Sequence, residues 1–160
     1  MMFKVGDKIV YPMHGAGVID AIEKIEFMGE EREYYILKMP IGEMDISIPA
    51  ANMKDANIRF IISKEEGLEV LEILDDTPTE MNSNWTKRYR DNQEILKTGD
   101  IFEIAKMVRN LAILDSDKGL STTEKKLLNR ARRILASELV MAGSLNKEEA
   151  EKMIDESIGL

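Results

Sequence analysis

The chain has no cysteine and a single histidine, His14. Disulfides, thiolate nucleophiles and cysteine-ligated zinc are thereby excluded, and one imidazole cannot build a His-rich metal site, which leaves carboxylate-bound cations formally open; no metal and no other cofactor is expected. No apolar run reaches the roughly eighteen residues a membrane span needs, and the start, Met1-Met2-Phe3-Lys4-Val5-Gly6-Asp7, has no apolar signal region. The expectation is a cytoplasmic protein without membrane contact. A Walker-type glycine loop, a glycine-rich dinucleotide fingerprint and a Gly-x-Ser-x-Gly elbow are all missing, and the carboxylates are scattered without a pairing signature. His14 lies in Tyr11-Pro12-Met13-His14-Gly15, a turn between strands, where a structural hydrogen bond is expected rather than acid–base catalysis. The chain reads as a non-enzyme with no small-molecule substrate.

Positive charge is also scarce overall, with a net charge of −8, yet its distribution is uneven. Residues 1–60 carry −3, 61–80 carry −6, 81–133 carry +5 and 134–160 carry −4. One basic block bracketed by acidic ones can hold phosphate while the remainder limits indiscriminate binding.

The first sixty residues are strand-like. Short β-branched and aromatic runs occur at 8–11, 17–27, 33–39, 44–49 and 58–61, separated by turn signals at Pro12–Gly15, Gly29–Glu30 and Pro40–Gly42. This spacing predicts a small, strongly bent antiparallel barrel, and incomplete closure would leave an edge strand able to pair with another chain. After residue 62 the period becomes helical. Helices are expected from Ser63 to about Leu74, from Asn84 to about Thr98, from Asp100 to about Lys118, from Ser121 to about Met141 and over 147–157, with capping-box spacing at Ser63–Glu66 and Ser121–Glu124. The expected architecture is α+β: a β-barrel domain over 1–62 and an all-helical domain over 63–160.

Within the basic block, the only tryptophan stands at a helix start in Asn84-Trp85-Thr86-Lys87-Arg88-Tyr89-Arg90. Cations there oppose the positive end of the helix dipole, at roughly 0.3–1 kcal/mol each, and an external anion would remove that penalty. Two readings are open. Trp85 seals a small helical core, or its flat ring projects outward into a minor groove while Lys87, Arg88 and Arg90 hold flanking phosphates. In the fourth helix Lys126, Arg130 and Arg133 share one stripe, with Lys125, Asn129 and Arg132 at its margins, and no carboxylate falls between Lys125 and Ala136. No helix has the clustered Asn, Gln and Arg tip that reads bases in a major groove, so recognition is expected to be sequence-tolerant.

Three separated segments, Phe3-Lys4-Val5-Gly6-Asp7-Lys8-Ile9-Val10-Tyr11-Pro12-Met13-His14-Gly15, the Trp85 segment, and Gly119-Leu120-Ser121-Thr122-Thr123-Glu124-Lys125-Lys126, resemble the CarD/CdnL family of bacterial transcription regulators along essentially the whole chain. The resemblance implies a Tudor-like N-terminal domain docked on the β subunit of RNA polymerase and a helical C-terminal domain that touches promoter DNA just upstream of the melted region, stabilising the open complex. It implies a monomer in which Trp85 is a wedge at the upstream edge of the bubble and Lys87, Arg88, Arg90, Lys125, Lys126 and Arg130 contact phosphate. Polymerase contacts would fall on Ile25, Phe27 and Ser47. Relatives can carry arginine at the positions of Ile25 and Ser47, so docking here would rest more on backbone pairing and apolar contact. The rival expectation is a protein–protein interaction module without DNA contact. The barrel alone also resembles the polymerase-binding module of the transcription-repair coupling factor, whose helicase motifs this chain lacks.

Overall fold

The computed structural model describes residues 3–41, 44–54, 56–143 and 145–160. Five strands, β1 (Lys8–Tyr11), β2 (Gly15–Phe27), β3 (Glu30–Lys38), β4 (Asp45–Pro49) and β5 (Arg59–Phe60), form one antiparallel sheet in the order β4-β3-β2-β1-β5. Five helices follow: α1 (Lys64–Asp75), α2 (Trp85–Thr98), α3 (Ile101–Asp117), α4 (Thr122–Gly143) and α5 (Lys147–Ile158). The fold is thus α+β, and its Tudor-like sheet is open, with β4 and β5 as its edges. Of the expected turns, the one at Pro40–Gly42 runs outside the described residues at Gly42.

Glu30, Glu31 and Arg32, expected at or near a turn, are strand residues instead. Met28 and Gly29 both have positive φ (51° and 80°), and Phe27 pairs directly with Glu30. A two-residue turn of this handedness matches the twist of its strands and carries the pairing to the tip despite the charges.

A bulge in β2 decides which side chains face outward. Ile19 pairs with Leu37 and Ala21 with Ile36, leaving Asp20 as the extra residue. Beyond it the alternation flips, so Ile19 and Ile22 share the inner face although they are three residues apart. The inner face packs Phe3, Ile9, Ile19, Tyr35, Leu37, Met39, Ile48 and Met53 into one core.

The helices surround a second core. Ile101, Ile104, Ala105, Val108, Leu111 and Ala112 of α3, and Leu127, Leu128, Ala131, Ile134, Leu135 and Leu139 of α4, are all buried at the spacing the sequence shows. Ser63 and Glu66 close the expected capping box on α1, each side chain bonding the other residue's backbone N–H.

Sheet and helices meet at α4. The Ser137 hydroxyl accepts the Ala16 N–H at 2.9 Å and donates to the Ile134 carbonyl at 2.6 Å. Gly15 allows this approach, because a Cβ there would lie 2.7 Å from the Ser137 Oγ, and its φ is +113°.

Candidate nucleic-acid interface

Trp85 is 49% exposed and belongs to neither buried core, so it does not seal one. Asn84 caps α2, its Oδ1 accepting the N–H groups of Thr86 (3.0 Å) and Lys87 (3.2 Å). The first turn contains no acid, and Lys87 and Arg90 are exposed without an ion-pair partner among the described residues. The positive end of the helix dipole therefore meets uncompensated cations. Lys125 and Lys126, in the first turn and a half of α4, are likewise exposed and unpaired among the described residues.

Arg88 is placed differently from Lys87 and Arg90. It sits four and eight residues before the buried Asn92 and Leu96, which turns it inward on the same stripe. Its Nε and Nη2 donate to both carboxylate oxygens of Glu124 at 2.7 and 2.8 Å, and Nη1 donates to the Asn82 carbonyl at 3.2 Å. The two side chains are 13% and 1% exposed. With its charge matched and all three guanidinium nitrogens already donating, Arg88 anchors α2 to α4. Hydrogen bonds from Arg88 hold the Glu124 carboxyl below the usual carboxylate range, and the same bond raises Arg88. The N-terminal half of α2 contributes no fully buried residue; this ion pair ties it to α4, and the half-buried Tyr89 packs on the helical core. It connects the two segments that carry Trp85 and Lys125–Lys126.

The loop ahead of Trp85 is also fastened. Arg109, buried on α3, donates to the Ile73 carbonyl at the end of α1 (2.9 Å), to Asn110 Oδ1 (3.1 Å) and to the Thr79 hydroxyl (3.4 Å). Asn110 Oδ1 also accepts the Thr79 N–H at 3.1 Å. A guanidinium placed on the negative end of α1 thus orders the segment that delivers Asn84 and Trp85.

Arg130 is exposed, and its Nε and Nη2 donate to the Met13 carbonyl at 3.2 and 2.9 Å, joining α4 to the β1–β2 turn. Arg132 is paired with Asp155 on α5. His14 stacks on Tyr11 with ring centroids 4.5 Å apart, and burial, then the Arg130 charge, lowers its pKa. That is a structural imidazole on a turn.

Ile25, Phe27 and Ser47 lie on one face. Past the Asp20 bulge, cross-strand pairing puts Ala21, Ile36 and Ser47 in one row, Ile25 with Arg32 and Phe27 with Glu30, all on the outer side of the sheet. Phe27 is 59% and Ile25 41% exposed, and Ser47 is on the edge strand β4. Apolar side chains beside an available strand edge suit docking by strand addition and apolar contact.

An open Tudor-like sheet with an apolar outer face, joined to a helical unit with an exposed indole among cations, defines a two-faced binding protein. Residues 3–62 match the CarD-like/TRCF RID domain family, and residues 69–155 match the family described as CarD, C-terminal domain. A protein of Bacillus subtilis (strain 168), the candidate transcription factor YdeB, is 37% identical over 148 residues, covering 92% of this chain and 97% of its own length. The chain belongs to the CarD family of transcription regulators. That family is not enzymatic, and the polymerase-interacting type of its sheet domain makes RNA polymerase the partner. Among the described residues, no helix is long and apolar enough to cross a membrane.

Proposed function

We propose that the chain, acting as a monomer, docks the outer face of its sheet on the polymerase β subunit through Ile25, Phe27 and Ser47, and stabilises the open promoter complex with its helical part. In this reading residues 1–62 are the docking domain and 63–160 the DNA-binding domain. Trp85 enters the minor groove at the upstream edge of the bubble, where a flat apolar ring fills a partly unstacked base step. Lys87, Arg90, Lys125 and Lys126 hold the flanking phosphates, joined by those donors of Arg130 that Met13 does not occupy.

The observation that carries this reading is the half-exposed Trp85 on a helix N-terminus without acids, flanked by cations that have no ion-pair partner among the described residues. A protein that favours the melted over the closed complex shifts that equilibrium by its differential affinity, about 1.4 kcal/mol for each factor of ten. Weak DNA contacts suffice, because tethering to polymerase makes the second contact effectively intramolecular. The test compares footprints of polymerase on a promoter with and without the protein. Extended protection at the upstream bubble edge is expected. Polymerase binding with unaltered DNA protection would instead support the pure protein-interaction reading.

A further inference from the structure

Trp85 stands at the far end of α2, and the near end of that helix is gripped by the sheet. Arg59 of β5 reaches across the junction and donates from Nε and Nη2 to the Gly99 carbonyl at 3.1 and 2.9 Å. Gly99 is the C-cap of α2, in the left-handed conformation at φ +72°. The same guanidinium donates from Nη1 and Nη2 to the two oxygens of Glu138 on α4, both at 2.7 Å. Glu138 is buried, and its Oε2 also accepts the Ile62 N–H at 2.9 Å. Pro12, from the β1–β2 turn, packs so closely on Gly99 that a Cβ there would sit 3.0 Å from the proline ring. The Arg59–Glu138 pair therefore joins the sheet, the α2 terminus, α4 and the chain leading into α1.

This arrangement makes α2 a strut tied at both ends, by Arg59 and Pro12 at its C-terminus and by the Arg88–Glu124 pair near its N-terminus. At 1.5 Å per residue its 14 residues extend about 21 Å. A tilt of about 10° at the sheet end would displace Trp85 by roughly 3.5 Å, about one base step on a strand. An indole that must meet one step at the edge of a bubble cannot tolerate more.

We propose that Arg59 is a positioning residue for Trp85: through Gly99 and Glu138 it fixes the DNA-facing strut to the polymerase-docking sheet, so that docking alone sets where the indole falls. The inference rests on the function proposed above. Neither Arg59 nor Glu138 belongs to either binding face, so their effect reaches DNA only through geometry.

The test has one arm that needs neither DNA nor polymerase. Trp85 is the only tryptophan and cysteine is absent, so a thiol-linked acceptor at Lys38→Cys, exposed on β3, reports the distance between sheet and indole alone. Energy transfer in the otherwise wild-type chain is expected to give one narrow distance distribution. A broad one overturns the proposal, whatever the variants do. Replacing both charges together, Arg59→Gln with Glu138→Gln, avoids leaving a buried charge unpaired. This variant is expected to broaden the distribution, to keep its affinity for polymerase and the salt slope of DNA engagement, and to lose the lengthening of open-complex lifetime at least about tenfold. Arg59→Lys, which keeps charge without the fork, should fall between. A folded double variant with full open-complex stabilisation would also overturn it. Failure of the functional reading would appear separately, as a Trp85→Ala chain with undiminished activity and a narrow wild-type distance.

Discussion

Replacing Glu124 by Gln removes one charge from an ion pair that is nearly out of water, and the consequence follows from donor counting. Glutamine keeps the volume and one acceptor oxygen, but its NH2 group then faces an N–H of Arg88, donor against donor. Breaking a fully buried pair from one side costs about 3–5 kcal/mol. Arg88 is 13% exposed and can recover some hydration, so about 2–3 kcal/mol is the appropriate range. For a chain of this length that corresponds to a drop in melting temperature of roughly 5–10 °C. The exposed indole should report the change first, since beyond this pair the N-terminal half of α2 is held to the core by the half-buried Tyr89 and by no fully buried side chain. Trp85 fluorescence is expected to become more quenchable and less anisotropic in Glu124→Gln, under conditions where α3 and α4 remain folded by circular dichroism. A melting temperature within about 2 °C of wild type, together with unchanged Trp85 quenching, would refute the assignment of Arg88 and Glu124 as the anchor.

The same pair predicts an acid dependence. Glu124 has a folded-state pKa below its unfolded value of about 4.3, so its contribution is fully present above that pH and is lost as pH falls through the depressed value; an acid titration should show a transition that shrinks in Glu124→Gln. The division of labour among the cations is separable by salt. Lys87→Met and Arg90→Met should each flatten the dependence of DNA engagement by about 0.9 log unit per lost phosphate contact, whereas the double change Arg88→Met with Glu124→Met should leave the slope alone. Equal slopes for Lys87→Met and wild type would count against phosphate binding there. At the sheet–helix junction, Gly15→Ala would place a Cβ 2.7 Å from the Ser137 Oγ in a left-handed backbone, and about 1–3 kcal/mol of destabilisation is expected in chemical denaturation.

Much of this architecture was legible because hydrophobic period and caps point the same way. Ser63 and Asp100 cap helices where expected, and the apolar residues that recur at helical spacing on α3 and α4 are buried. Two features were not legible for physical reasons. The start of β3 at Glu30 depends on positive φ at Met28 and Gly29, a backbone state that a run of charged residues does not advertise. Sorting the outer from the inner face of β2 requires knowing that Asp20 bulges, which is a property of the pairing with β3. The buried ion pairs do leave a signal in the sequence. Glu124 lies three and four residues before Leu127 and Leu128, Glu138 lies four after Ile134, and Arg88 lies eight before Leu96, so each charge sits on its helix's apolar stripe. A charge on such a stripe implies a partner inside. Glu124 was masked because it also completes a capping-box spacing with Ser121, whose hydroxyl does accept the Glu124 N–H at 3.2 Å. Arg88 was masked by its position among true surface cations, Lys87 and Arg90.

The lifetime of competitor-challenged open promoter complexes, measured with wild-type chain and with Trp85→Ala at saturating protein, tests the central claim most directly. The indole is half exposed, so its removal leaves both cores intact, and polymerase binding should be unchanged. Wild type is expected to prolong the complexes, and Trp85→Ala to lose most of that effect. Equal prolongation by both would contradict the account.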